Sequence, residues 1–102
     1  MKLINVTNTH SQLVRGQLDN TDAELVEVYT TGSTTIIYTK APHHHEVVIT
    51  NKNRKLRLDE LRAIKHFFFK KLNLLGTSQN VARQIDTPNL VEISIPIKKP
   101  EE

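Results

Sequence analysis

The sequence holds no cysteine and no tryptophan, only three glycines, and no long apolar run. Each shortage excludes something. Without cysteine there is no disulfide framework, no thiol nucleophile, no iron–sulfur cluster and no cysteine-bound zinc. No apolar stretch approaches the roughly 18–20 residues that a membrane-spanning helix needs. The glycines stand apart at 16, 32 and 76, so they supply neither a phosphate-cradling loop nor a dinucleotide-binding turn. Ser11, Ser33, Ser78 and Ser94 all lie outside any Gly-x-Ser-x-Gly elbow. Asp59 and Glu60 read as helix-start charges rather than as an acid and its base. The chain is therefore expected not to be an enzyme and to need no cofactor. Its opening, Met1 to Asn8, lacks the apolar core of a signal peptide, which points to the cytoplasm.

What is present fits a small packed protein. There are 102 residues, 37% hydrophobic and 25% charged, enough for one domain spanning 1–102. The net charge of +3 hides an uneven distribution. Residues 1–51 carry three basic and five acidic side chains, and residues 52–102 carry eleven and six. Within 52–71 the count is eight basic against two acidic. Such a segment suits an anionic partner, and it equally suits an ordinary solvated helix.

Periodicity sets out the elements. Residues 2–7 read as a strand. A helix follows over 10–18, capped by Asn8 or Thr9 and bearing Leu13, Val14 and Leu18 on one side. Residues 24–30 and 34–39 are strands around the turn Thr31-Gly32-Ser33, and so form a hairpin. A further strand covers 46–50. From Leu58 to Leu75 the apolar residues Leu58, Leu61, Ile64, Phe68, Leu72 and Leu75 recur at spacings of three and four, which predicts a long helix ended by Gly76. Thr77 or Ser78 caps a short third helix to Gln84 or Ile85, with Val81 and Ile85 as its apolar pair. Last, Val91, Ile93, Ile95 and Ile97 alternate with Glu92, Ser94 and Pro96, a strand with one buried and one wet face. The predicted order is β-α-β-β-β-α-α-β. It describes an α+β two-layer sandwich, mostly antiparallel, with helices on one face, and it leaves room for a ferredoxin-like variant.

Three segments carry a resemblance. Met1 to Asn8, the run Asn20 to Tyr29 and the run Gly32 to Tyr38 resemble a family of small proteins of unknown function from lactic-acid bacteria and related Gram-positive species. The resemblance implies a bacterial cytoplasmic protein of about this length. It implies no activity and no site residues.

The candidate sites are three. On the long helix, Phe67 falls about 240° and Leu74 about 220° from Leu61 at 100° per residue, away from the core stripe. With Ala63 they form a second apolar strip. Either the third helix covers it through Val81 and Ile85, or a protein partner or a second subunit does. The partner surface expected is Phe67 and Leu74 as apolar anchors, with Arg62, Lys70 and Lys71 around them. The alternative function is nucleic-acid binding through Arg54, Lys55, Arg57, Arg62, Lys65 and Lys70. The third candidate, His43-His44-His45-Glu46, has metal-capable ligands but lacks a second pair at zinc-finger spacing, so it reads as an exposed histidine-rich turn rather than a metal site.

Overall fold

The computed structural model describes residues 2–73, 81–84 and 89–97. The elements are β1 (Ile4–Asn5), a 3-10 turn (Thr7–His10), α1 (Ser11–Asn20), β2 (Leu25–Thr31), β3 (Thr34–Lys40), β4 (His44–Asn51), α2 (Leu58–Lys71), β5 (Val81–Gln84) and β6 (Leu90–Pro96). The α+β class and the mostly antiparallel layered arrangement are those the sequence predicts.

Six strands form one sheet in the order β1-β2-β3-β4-β6-β5, and every neighbouring pair is antiparallel. That corrects the ferredoxin-like option, because its crossovers would place parallel strands side by side. Gly32 and Ser33 alone join β2 to β3, with Thr31 opposite Thr34. Gly32 has φ of 58°, at the first central position, where a type II′ hairpin turn takes glycine. Cross-strand partners share a face, so Tyr29, Ile36, Ile49 and Val91 line up across four strands. They form the core with Tyr38, Val47, Ile93 and Ile95 of the sheet and with Ile64, Phe68 and Phe69 of α2.

The buried stripe of α2 runs Glu60, Ile64, Phe68, one residue every helical turn. Leu58, expected on this stripe, is 64% exposed. Its place is taken by Glu60, whose carboxylate has partners described below. The helix also ends earlier than Gly76. Leu72 caps it, its N–H bonding back to Phe68, and Asn73 adopts a φ of 58°. Asparagine is among the few residues besides glycine that adopt the left-handed region readily, and it ends the helix here. Leu74, Leu75 and Gly76 lie outside the described residues.

Two further expectations change. Val81–Gln84 is a strand on the free edge of β6, where a third helix was predicted. Capping signals are local, whereas the open edge of a strand some ten residues away offers a ladder of unpaired backbone groups. Thr77, Ser78 and Ile85 lie outside the described residues. Secondly, the helices do not share one face. Alternation turns Val26 and Val28 away from Tyr29 and from α2, yet both are buried. The 3-10 turn and α1 lie against β2, and they supply that cover. The amino end of α1 has no side-chain cap; Thr9 instead donates its hydroxyl to the Val6 carbonyl at 2.8 Å.

Candidate functional site

A groove of about 640 Å³ runs along the outer side of α2, between the helix and the first strand. Its lining is Leu3, Arg62, Ala63, His66, Phe67 and Lys70. Positions 62, 66 and 70, and 63 and 67, are four residues apart, so one side of the helix presents them in two adjacent rows. Leu3 comes from the chain just before β1, on the side that faces α2. An apolar row thus lies beside a row of basic side chains. Arg62, His66 and Lys70 are exposed, and Phe67 is half-buried.

Phe67 is not covered by a third helix, and the rest of the fold covers it only in part. Its ring packs edge-on against Tyr29 (centroids 5.6 Å apart) and against Phe68 (5.1 Å), so its inner side belongs to the core. Its outer side opens into the groove. The segment expected to cover it carries Val81 to the far edge of the sheet, four strands away from β2. Of the five residues predicted as a partner surface, the structure brings Arg62, Phe67 and Lys70 together. Lys71 points elsewhere, its Nζ 3.9 Å from Glu27 Oε1. Leu74 lies outside the described residues. Leu3 escaped sequence reasoning. The alternation in residues 2–7 separates it from Ile4, but only the pairing of β1 with β2 shows which helix it meets.

A second cluster lies at the other end of α2. Glu60 is 1% exposed and carries a full set of partners. Arg54 donates Nη1 to Oε1 at 2.7 Å and Nη2 to Oε2 at 2.9 Å. Thr34 donates its hydroxyl to Oε2 at 2.9 Å, and the Arg57 N–H donates to Oε1 at 3.0 Å. Asn51 completes the network, donating to Thr34 Oγ1 at 3.0 Å and accepting from the N–H groups of Asn53 and Arg54. The Arg54 hydrogen bonds above all, with those of Arg57 and Thr34, hold the Glu60 carboxyl at about 2 against the opposing effect of burial. This cluster ties the β3–β4 end of the sheet to the start of α2. Within it, four donors occupy the two oxygens of Glu60. The only signal for it in the sequence is that Glu60 falls four residues before Ile64 on the apolar stripe.

The histidine run is divided by β4. His45 faces the core side, where its Nδ1 shares a 2.9 Å hydrogen bond with the Tyr38 hydroxyl. Burial, then the charges of Lys40 and His44, lowers its pKa below the ordinary value. The Tyr38 phenol is pushed up to about 12, by burial and then by the Glu27 charge. The phenol therefore stays protonated at neutral pH, and the donor in its bond to His45 follows the imidazole tautomer. His44 points to the other face, its Nε2 3.5 Å from Glu46 Oε2. So His44 and His45 are strand residues rather than parts of a turn. Among the described residues no group of three metal-capable side chains converges. Glu27 stands near the same tyrosines, and its Oε1 is buried without a hydrogen bond, Lys71 being its nearest cation. No helix among the described residues is long and apolar enough to cross a membrane.

Comparison with known proteins places the molecule. Residues 1–96 match the family model described as Domain of unknown function (DUF1827), and the chain belongs to that family. It is similar to the crystal structure of a conserved protein of unknown function from Streptococcus thermophilus LMG 18311. The two share 45% sequence identity with a TM-score of 0.81, over 94% of this chain and 96% of that one. No curated protein sequence matches significantly.

Proposed function

We propose that this DUF1827 member is a small, non-enzymatic binding protein of the cytoplasm, acting through protein–protein contacts, and that partners dock in the α2 groove. One observation carries the proposal: the groove sets Leu3, Ala63 and Phe67 among Arg62, His66 and Lys70, with no acidic side chain in its lining. An aromatic anchor bordered by basic side chains has the composition of an interface centre and its polar rim. Phe67 is already held on its inner side by Tyr29 and Phe68. Little side-chain freedom is left for it to lose on binding, which favours affinity. The partner it fits is a protein segment that presents an apolar side chain flanked by carboxylates.

A non-catalytic reading is supported by how the perturbed groups are occupied. Glu60 is engaged by Arg54 and Thr34, and His45 by Tyr38. Two of the six cations of the nucleic-acid alternative have other work in the fold. Arg54 belongs to the Glu60 cluster, and Lys65 Nζ lies 5.5 Å from the Phe69 ring centroid. Protein contact is therefore favoured over a phosphate backbone.

The test is selection of peptides from a random library, followed by mapping of bound peptides by backbone amide shifts. The expected result is enrichment of acidic peptides with one apolar anchor, shifts centred on His66 and Phe67, and loss of binding in Arg62→Glu/Lys70→Glu. Peptide binding elsewhere on the surface would contradict the proposal. So would nucleic-acid binding that collapses with salt while no peptide is retained.

A further inference from the structure

The groove is basic, and the same chain carries an exposed acidic surface of complementary charge. Leu18 and Leu25 are 39% and 44% exposed. Between them run the end of α1 and the turn into β2, with Asp19, Asp22 and Glu24 all exposed. This exposed stretch, the knuckle, has two leucines bracketing three carboxylates. Among the described residues Asp19 and Asp22 have no ion pair, and neither do Arg62 and Lys70 in the groove. Glu24 has only a solvent-exposed contact, 3.6 Å from Lys40. No knuckle residue lines the groove of its own chain. The two features can meet only between molecules.

We infer that the partner taken by the α2 groove is a second copy of this chain, which inserts its acidic Leu18–Leu25 knuckle among Arg62, His66, Phe67 and Lys70. The inference rests on the groove reading and names its occupant. It accounts for the division of charge along the sequence, three basic and five acidic residues before position 52 and eleven and six after it. One surface of the first copy meets a different surface of the second, reciprocally in a two-fold pair or head-to-tail in a heterologous contact. Two copies that exchange knuckles close into a pair; otherwise the contact propagates. The groove is small, so the association belongs to the weak class, below about 1,200 Å² of buried surface. It is also salt-sensitive, because the paired charges lie within reach of solvent.

Two charge-reversed variants test this with exposed side chains only: Asp19→Lys/Asp22→Lys in the knuckle and Arg62→Glu/Lys70→Glu in the groove. Sedimentation velocity over a wide concentration range, at low and at physiological salt, gives the association constant. The expected result is concentration-dependent association of the unaltered protein, weakened at least tenfold in each variant. An equimolar mixture of the two variants should regain it, since each retains the surface the other lost. Association that both reversals leave untouched would overturn the inference. A protein that stays monomeric at every concentration would also overturn it. In that case an acidic, apolar peptide from the library that still shifts His66 and Phe67 keeps the groove reading alive. If no peptide shifts them, the groove reading fails as well.

Discussion

Arg54 and Glu60 form a two-point ion pair across the start of α2, with Nη1–Oε1 at 2.7 Å and Nη2–Oε2 at 2.9 Å. The bond replaces an apolar contact at the head of the helix stripe. A buried carboxylate is tolerated only when its lone pairs are used, and four donors use them here. Glu60→Gln keeps the shape and removes the charge. It is expected to lower stability by about 1–3 kcal/mol, because the amide opposes one arm of the guanidinium. In a domain of this size that corresponds to a melting temperature lower by roughly 4–8 °C per kcal/mol. Arg54→Ala should act in the same direction, and calorimetry on both variants checks the pair.

The same carboxyl makes stability depend on acid. Its pKa is held at about 2 in the fold, below the ordinary 4.5. A depressed folded value means that the contribution is complete above 4.5 and is lost as pH falls toward 2. Urea midpoints measured from pH 6 down to pH 2 should therefore fall more steeply in the unaltered protein than in Glu60→Gln. Parallel curves would show that Glu60 is not the group responsible.

Phe68 and Leu58 belong to the same predicted stripe but differ in what surrounds them. Phe68 is fully buried and stacks near Tyr38 at 5.5 Å, whereas Leu58 is 64% exposed. Phe68→Ala should cost about 3–5 kcal/mol, through lost contacts and the cavity left behind. Leu58→Ala should stay within about 0.5 kcal/mol of the original. Chemical denaturation of the two variants side by side measures the difference.

His45 should titrate below the ordinary 6.5, since burial and then Lys40 disfavour its charged form. A lowered folded value means its contribution to stability is present above 6.5 and is lost as pH falls through the folded value. Imidazole resonances followed against pH give the value directly. Lys40→Ala should move it upward, because one repelling charge is gone. A His45 that titrates at 6.5 or above would contradict the environment described.

How much of this was legible beforehand varies from element to element. The β2–β3 hairpin could be read because its turn residues and its alternation lie within a few positions of each other. The helix over 58–71 could be read for the same reason, although its end could not. Asn73 and Gly76 are both residues able to stop a helix, and the sequence alone does not choose between them. The candidate surface was half legible. Helical spacing grouped Arg62, Phe67 and Lys70, but Leu3 joins them only through strand pairing.

By itself, the sequence determined what this protein lacks and the local form of most of its chain. The missing cysteines and the scattered glycines are facts of composition, and alternation or three-four spacing acts over a single strand or helix. Tertiary structure alone decided the rest. It set β6 between β4 and β5, turned Val81–Gln84 into a strand, buried Glu60 and left Phe67 with one side open. Each of these depends on partners distant in the chain. Glu60 is 26 residues from Thr34, and Phe67 lies against Tyr29 and lines one groove with Leu3. Burial and pairing are properties of what packs around a residue, and no local window contains that information.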